Sequence, residues 1–188
     1  MNAVTLDLEP IFDLSDDRFY RLCQANPELR IERNSEGSLI ILSPTGGETG
    51  NSNAELGADF VIWNRQTQLG KVFDSSTGFK LPNGATRSPD VAWVEQSRWD
   101  QLPPEQRRRF PPLAPDFVLE LVSPTDSWAD AQAKLQEYIA NGVRLGWLID
   151  LDNQRAEIYR PGQVVQTVSL PAQLSSGAVL PGFVLQVG

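Results

Sequence analysis

Pro115-Asp116-Phe117-Val118-Leu119-Glu120-Leu121-Val122-Ser123-Pro124 is the stretch on which the fold turns. Phe117 to Val122 is a short apolar run bounded by Pro, Asp and Ser, the pattern of a strand covered on both faces. Alternation sends Phe117, Leu119 and Leu121 one way and Val118, Glu120 and Val122 the other. One carboxylate, Glu120, therefore interrupts an apolar strand. A buried charge is costly unless it is paired or holds a metal. The plain reading puts Glu120 at a solvent-facing edge or in an ion pair with Arg87 or Lys134. The sharper reading makes it part of a site.

Downstream, Thr125 or Asp126 caps a helix running to about Asn141, with Gly142 as its stop. Its buried face is Trp128, Ala131, Leu135, Tyr138 and Ile139. Val143 to Ile149 is a further apolar strand, so strand, helix and strand form a βαβ unit, expected to be right-handed. Ala156 to Tyr159 and Val164 to Val168 make a hairpin, and the tail Val179 to Val187 closes an edge. Upstream, Arg87 to Glu95 is a strand with Val91 and Trp93 on one side and Asp90, Ala92 and Val94 on the other. Asn83-Gly84 is a hairpin turn, preceded by strand-like Lys71 to Asp74 and Thr77 to Leu81. Ser97 to Phe110 is a polar connection with some helix. A helix from Glu48 to about Thr67 carries the stripe Leu56, Phe60, Ile62 and Trp63. Leu29 to Arg33 and Ser38 to Leu42 form an early hairpin, after a short helix from Ser15 to Asn26. The order is that of an α/β or α+β domain with a central mixed sheet flanked by helices and hairpins added at both ends.

The 188 residues, 40% hydrophobic and 21% charged, suit one domain with its own core. Met1 to Pro10 has no basic start and no long apolar run, so no signal peptide is expected. No stretch approaches the ~18 apolar residues of a membrane span, and a cytoplasmic protein is the expectation. A single cysteine, Cys23, allows no intrachain disulfide. The net charge of −8, from 24 acidic and 16 basic residues, argues against nucleic-acid binding by overall attraction, although a local basic groove stays compatible with it. Arg107-Arg108-Arg109 is read as a solvated face. There is no histidine, which removes His-based triads and His-rich zinc sites. Carboxylates without His favour hard cations such as Mg²⁺ or Mn²⁺.

Three residues stand out. Asp90 follows Ser88-Pro89 on an otherwise apolar strand, and Glu120 lies on the central one; two acids on neighbouring strands can share a divalent cation. From Asp126 to Lys134 the helix climbs roughly 12 Å at ~1.5 Å per residue. That equals about four strand residues at ~3.3 Å each. A helix folded back over its strand then brings Lys134 level with Val118 to Glu120. Two acids and a lysine around a metal suit phosphodiester hydrolysis.

The segments Ser88-Pro89-Asp90-Val91, Val118-Leu119-Glu120-Leu121-Val122-Ser123-Pro124, Lys134-Leu135-Gln136-Glu137-Tyr138, Asn141-Gly142-Val143-Arg144 and Trp147-Leu148-Ile149-Asp150 resemble a bacterial family described as putative restriction endonucleases. That family is a branch of the PD-(D/E)XK nuclease superfamily. The likeness runs from about Leu29 to Leu185 and rests on the order and spacing of the motifs. It implies a restriction-endonuclease-like fold and Mg²⁺- or Mn²⁺-dependent cleavage of DNA, by proteins that often act as homodimers. Carried over, Asp90 and Glu120 are the metal-binding acids and the backbone carbonyl of Leu121 a further ligand. Val122 stands where the superfamily pattern has its lysine; the resemblance implies that this lysine has moved to the next helix, as Lys134. Many superfamily members also carry a Glu on the first core helix. Glu48 and Glu55 are candidates, Glu48 preferred because it sits at the helix entrance beside Gly46-Gly47; Glu32, on the early hairpin, is another. A non-catalytic binding or regulatory protein on the same fold, and a nuclease acting on RNA, are the competing readings.

Overall fold

The structure, a computed structural model, describes residues 3–8 and 12–188; the reading of Met1 to Pro10 falls partly outside them. In chain order the elements are β1 (Val4–Leu6), α1 (Asp16–Ala25), β2 (Arg30–Arg33), β3 (Leu39–Leu42), α2 (Gly47–Thr67) and β4 (Gly70–Asp74). They continue with β5 (Phe79–Lys80), β6 (Thr86–Arg87), β7 (Val91–Glu95), α3 (Gln96–Asp100), α4 (Pro104–Arg107), β8 (Phe117–Leu121) and α5 (Trp128–Ala140). The chain ends in β9 (Leu145–Asp150), β10 (Arg155–Tyr159), β11 (Gln166–Ser169), β12 (Ala172–Ser175) and β13 (Val184–Val187).

A six-stranded sheet in the order β11-β10-β9-β8-β7-β4 forms the centre. It is mixed: β8 and β9 run parallel, in the register Phe117↔Leu145 to Leu121↔Ile149, while β7 pairs β8 antiparallel. Every residue of β8 is buried. Phe117, Leu119 and Leu121 join Trp93, Trp147 and Ile149 against Leu56, Phe60 and Trp63 of α2. Val118 and Leu148 on the other face meet Leu135 and Tyr138 of α5. The alternation read from the central stretch is thus the actual partition of the core.

A second sheet, β1-β3-β2-β6-β5, stands beside the first. Arg33 ties it to the first helix and the turn before β6, donating to the Leu14 and Gly84 carbonyls at 2.7 and 3.0 Å. β12 and β13 form a separate two-stranded ribbon whose Leu174, Leu185 and Val187 close the α2 side of the core.

Helix α5 begins at Ser127, which caps the Asp130 N–H, and stops before Gly142, at φ +102°. It sits close on the sheet because β9 carries Gly146 beneath it. A Cβ there would lie 2.7 Å from Leu135 Cδ1.

Several expectations change. The strand expected over Arg87 to Glu95 is two strands in two different sheets, β6 and β7. Pro89 has no N–H for a ladder, and the Ser88 N–H is taken by the Glu32 side chain. Ile62 is 54% exposed, off the stripe made by Leu56, Phe60 and Trp63 at i, i+4 and i+7. The expected C-terminal hairpin is present, β10 pairing β11, and it is continuous with the central sheet because β10 also pairs β9. β1 had no signal of its own and forms by pairing with β3.

Candidate active site

The site grows from the end of the β7–β8 ladder. The last paired residues are Val91 and Leu119. Beyond them the Asp90 side chain takes over, its Oδ2 accepting from the Leu121 N–H at 2.9 Å. In a strand the N–H and C=O of one residue face the same edge, so the Leu121 carbonyl is also directed to the Asp90 side. Glu120 points to the α5 face with Val118. Its Oε1 accepts from Lys134 Nζ at 2.9 Å and from the Tyr138 hydroxyl at 2.9 Å. Lys134 and Tyr138 are four residues apart on α5 and share one face.

Lys134 Nζ lies 3.1 Å from a second carboxylate, Glu32 Oε1. Glu32, on β2, is 2% exposed. It also accepts from the Ser88 N–H at 2.9 Å and from Arg87 Nη1 at 3.1 Å. Arg87 Nε reaches on to Glu137 Oε2 at 2.6 Å. The cluster therefore stitches β2, β6, β8 and α5 together. It lies in a cleft of about 610 Å³ whose lining includes Arg30, Glu32, Asp90, Glu120, Leu121 and Lys134.

The electrostatics are lopsided. Burial would raise the Glu32 carboxyl, but Lys134 and Arg87 overcome it and hold it below the usual range. Burial raises Asp90, partly offset by the Leu121 N–H and by the Lys134 and Arg30 charges. Glu120 is pushed up to about 7: burial dominates, Lys134 opposes, and Asp90 and Glu32 add to the rise. Burial would lower the Lys134 ammonium, yet Glu120 and Glu32 hold it above its ordinary value. Three cations, Lys134, Arg87 and Arg30, are spread over four carboxylates, Glu32, Asp90, Glu120 and Glu137.

That shortfall of positive charge, and oxygen donors alone, suit a hard divalent cation. No group of three or more His, Cys, Asp or Glu able to hold a metal gathers among the described residues. Asp90 and Glu120 are a pair, and Mg²⁺ is commonly held by one or two carboxylates with water completing its shell. The donors therefore fit such an ion in kind.

The folded chain brings together Asp90, Glu120, Leu121 and Lys134, the residues expected to meet. It does not bring Glu48, which is exposed in the first turn of α2, nor Glu55, exposed and accepting from Asn51 at 3.1 Å. Of the three candidate glutamates it is Glu32 that lies beside Lys134. Sequence reading assigned no role to Arg30 and placed Arg87 only as a partner for Glu120. The available signal was a strand, Arg30 to Arg33, with charge on both faces of its alternation. Arg107 and Arg109 are engaged elsewhere: Arg107 donates to the Leu102 and Asp100 carbonyls, and Arg109 pairs with Asp17 at 2.7 Å.

The sequence profile of the Uma2 family, described as putative restriction endonuclease, matches residues 16–188. No curated protein matches the chain. Among solved structures, a putative nuclease belonging to DUF820 from Anabaena variabilis ATCC 29413 is similar at a TM-score of 0.72 and 20% identity. The match covers 85% of this chain and 88% of that one. At that identity the likeness bears on the fold.

Proposed function

The chain belongs to the Uma2 family of putative restriction endonucleases, and from that premise we propose that it is a metal-dependent endonuclease hydrolysing phosphodiester bonds of DNA. The observation that carries this reading is Lys134 Nζ at 2.9 Å from Glu120 Oε1, in a cleft that also holds Asp90. Asp90, Glu120 and the Leu121 carbonyl would hold Mg²⁺ or Mn²⁺, which when bound polarises the phosphate and makes an attacking water more acidic. The chain's own groups do the positioning. The Leu121 N–H fixes the Asp90 carboxylate, and the Tyr138 hydroxyl fixes Glu120. Lys134, held by Glu120 and Glu32, would set a positive charge beside the metal-binding acids to meet the negative charge that builds on the non-bridging oxygens during cleavage. Glu32 is a positioning residue: when Glu120 turns to another cation, it still holds Lys134 in place.

The test is cleavage of supercoiled plasmid with Mg²⁺ or Mn²⁺ by the wild type and by Asp90→Ala, Glu120→Ala and Lys134→Ala. Nicking by the wild type and a loss of about 100-fold or more in each variant are expected. Equal activity in all four would sink the assignment. Parallel RNA oligonucleotides decide between DNA and RNA.

The acid-rich cleft favours a second reading, a non-catalytic binding protein on the same fold. Calorimetric titration with Mn²⁺ separates the two: no heat at millimolar ion, with DNA left intact, supports the second. Assembly as a homodimer belongs to the first. The outermost strand β11 is largely exposed and offers an edge for a second copy. Sedimentation velocity reads the mass directly.

A further inference from the structure

The cations lining the cleft are not equally committed. Lys134 is held between Glu32 and Glu120, and Arg87 between Glu32 and Glu137. Arg30 lies on the same face of β2 as Glu32, two residues away, and forms no ion pair with any described residue. Its Nη2 donates to the Ser75 carbonyl at 3.0 Å, while its Nε is buried without a partner. A guanidinium has five N–H donors, and one buried donor left unmade is costly. Buried donors are paired in the great majority of cases, and this one has no partner among the described residues.

Its position adds a second observation. A further cavity of about 600 Å³ includes Asn53, Val72, Asp74, Ser75, Thr77 and Asp90 in its lining. It shares Asp90 with the main cleft, and its Ser75 is the residue to which Arg30 donates. Arg30 therefore stands where the two spaces meet, and its charge acts on Asp90. A polynucleotide strand cleaved beside Asp90 must continue in both directions from the cut. Two cavities meeting at that acid provide room on either side. Inside the second one, Asn53 Oδ1 is a buried acceptor with no donor.

We infer that Arg30 is a substrate-binding residue whose guanidinium fork takes a backbone phosphate next to the bond that is cut, at the junction of the two cavities. This rests on the nuclease reading above. Arginine suits the task because its planar donors match phosphate oxygens in pairs, which a lysine cannot do.

The experiment is steady-state cleavage of a labelled oligonucleotide by the full chain with Mg²⁺ or Mn²⁺, over a series of salt concentrations. Wild type, Arg30→Gln and Arg30→Lys are compared, with near-UV circular dichroism as the check on folding. Arg30→Gln should raise KM by about tenfold and move kcat by less than about threefold. The slope of log(kcat/KM) against log[salt] should flatten by about one, the signature of one lost phosphate contact. Arg30→Lys should restore the slope and only part of KM. Unchanged KM and slope in folded Arg30→Gln overturn the inference and leave the nuclease reading standing. A fall in kcat with KM intact also overturns it, since that marks a structural role. If Arg30→Gln does not fold, Arg30→Lys decides: a wild-type KM rejects the fork. A wild type that cleaves neither DNA nor RNA removes both the nuclease reading and this inference.

Discussion

Glu120 illustrates what one side chain carries here. Its carboxyl moves from 4.5 to about 7 on folding, because it lies 9% exposed among Asp90 and Glu32 with one shared ammonium. The folded state then binds a proton that the unfolded state has released, so stability falls as pH rises from about 4.5 through 7. The full displacement corresponds to about 3 kcal/mol. Urea denaturation of the metal-free protein between pH 5 and 8 is expected to show this decline, and Glu120→Gln to flatten it. A wild type whose stability is level over that window would mean that Lys134 compensates Glu120 fully. The carboxyls held low, Glu32 among them, work in the opposite sense and at more acid pH, so the two windows separate.

Helix α5 is the element that assembles the site. It supplies Lys134, Tyr138 and Glu137, and its distance from β8 and β9 is set by Gly146. The Cβ of Gly146→Ala would stand 2.7 Å from Leu135 Cδ1 and 3.5 Å from Val118 Cγ2. The fully buried Leu135 side chain must give way, and the expectation is that α5 shifts with it. A cost of about 1–3 kcal/mol is expected, as for other overpacked cores. Lys134 would be carried away from Glu120, so cleavage should fall further than stability alone explains. Thermal melts beside plasmid nicking check this; a destabilised but fully active variant would free Lys134 from dependence on helix depth. The stop of α5 was legible in Gly142 and its inward face in the spacing of Leu135 and Tyr138. Its cap is Ser127 and not the expected Thr125 or Asp126, because Ser, Thr and Asp are all good caps and local sequence does not rank them. The broken strand at Ser88-Pro89-Asp90 was also less legible, because its apolar pattern continues into β7 while its backbone hydrogen bonds do not.

At the scale of the molecule, charge sets the terms of any encounter with a polyanion. The chain carries −8 overall, and the cleft is lined by Glu32, Glu36, Asp90, Glu120, Asp126, Asp130 and Glu137 against Arg30, Arg87 and Lys134. Nucleic acid should therefore bind only with a divalent cation present. Fluorescence anisotropy of a labelled duplex is expected to stay flat in EDTA and to rise with Mn²⁺. Binding in EDTA would direct the phosphates to some other surface. The same ion should stabilise the fold, by about 2.7 kcal/mol at a hundredfold excess over its Kd. No helix of the described residues is long and apolar enough to cross a membrane.

Local order in the chain was enough for the alternation of β8, the two-sided core, the parallel β8–α5–β9 unit and the level of Lys134 along β8, though not for the direction its side chain takes. Each follows from a period or a rise per residue, which act over a few neighbours. The choice of Glu32 over Glu48 belonged to tertiary structure alone. Periodicity tells which face of its own element a side chain takes; it carries no information about which distant face will cover it. That pairing was decided when β2 came to face α5 across the cleft and the buried Lys134 and Arg87 required carboxylates within reach, since a charge removed from water is tolerated only beside its opposite.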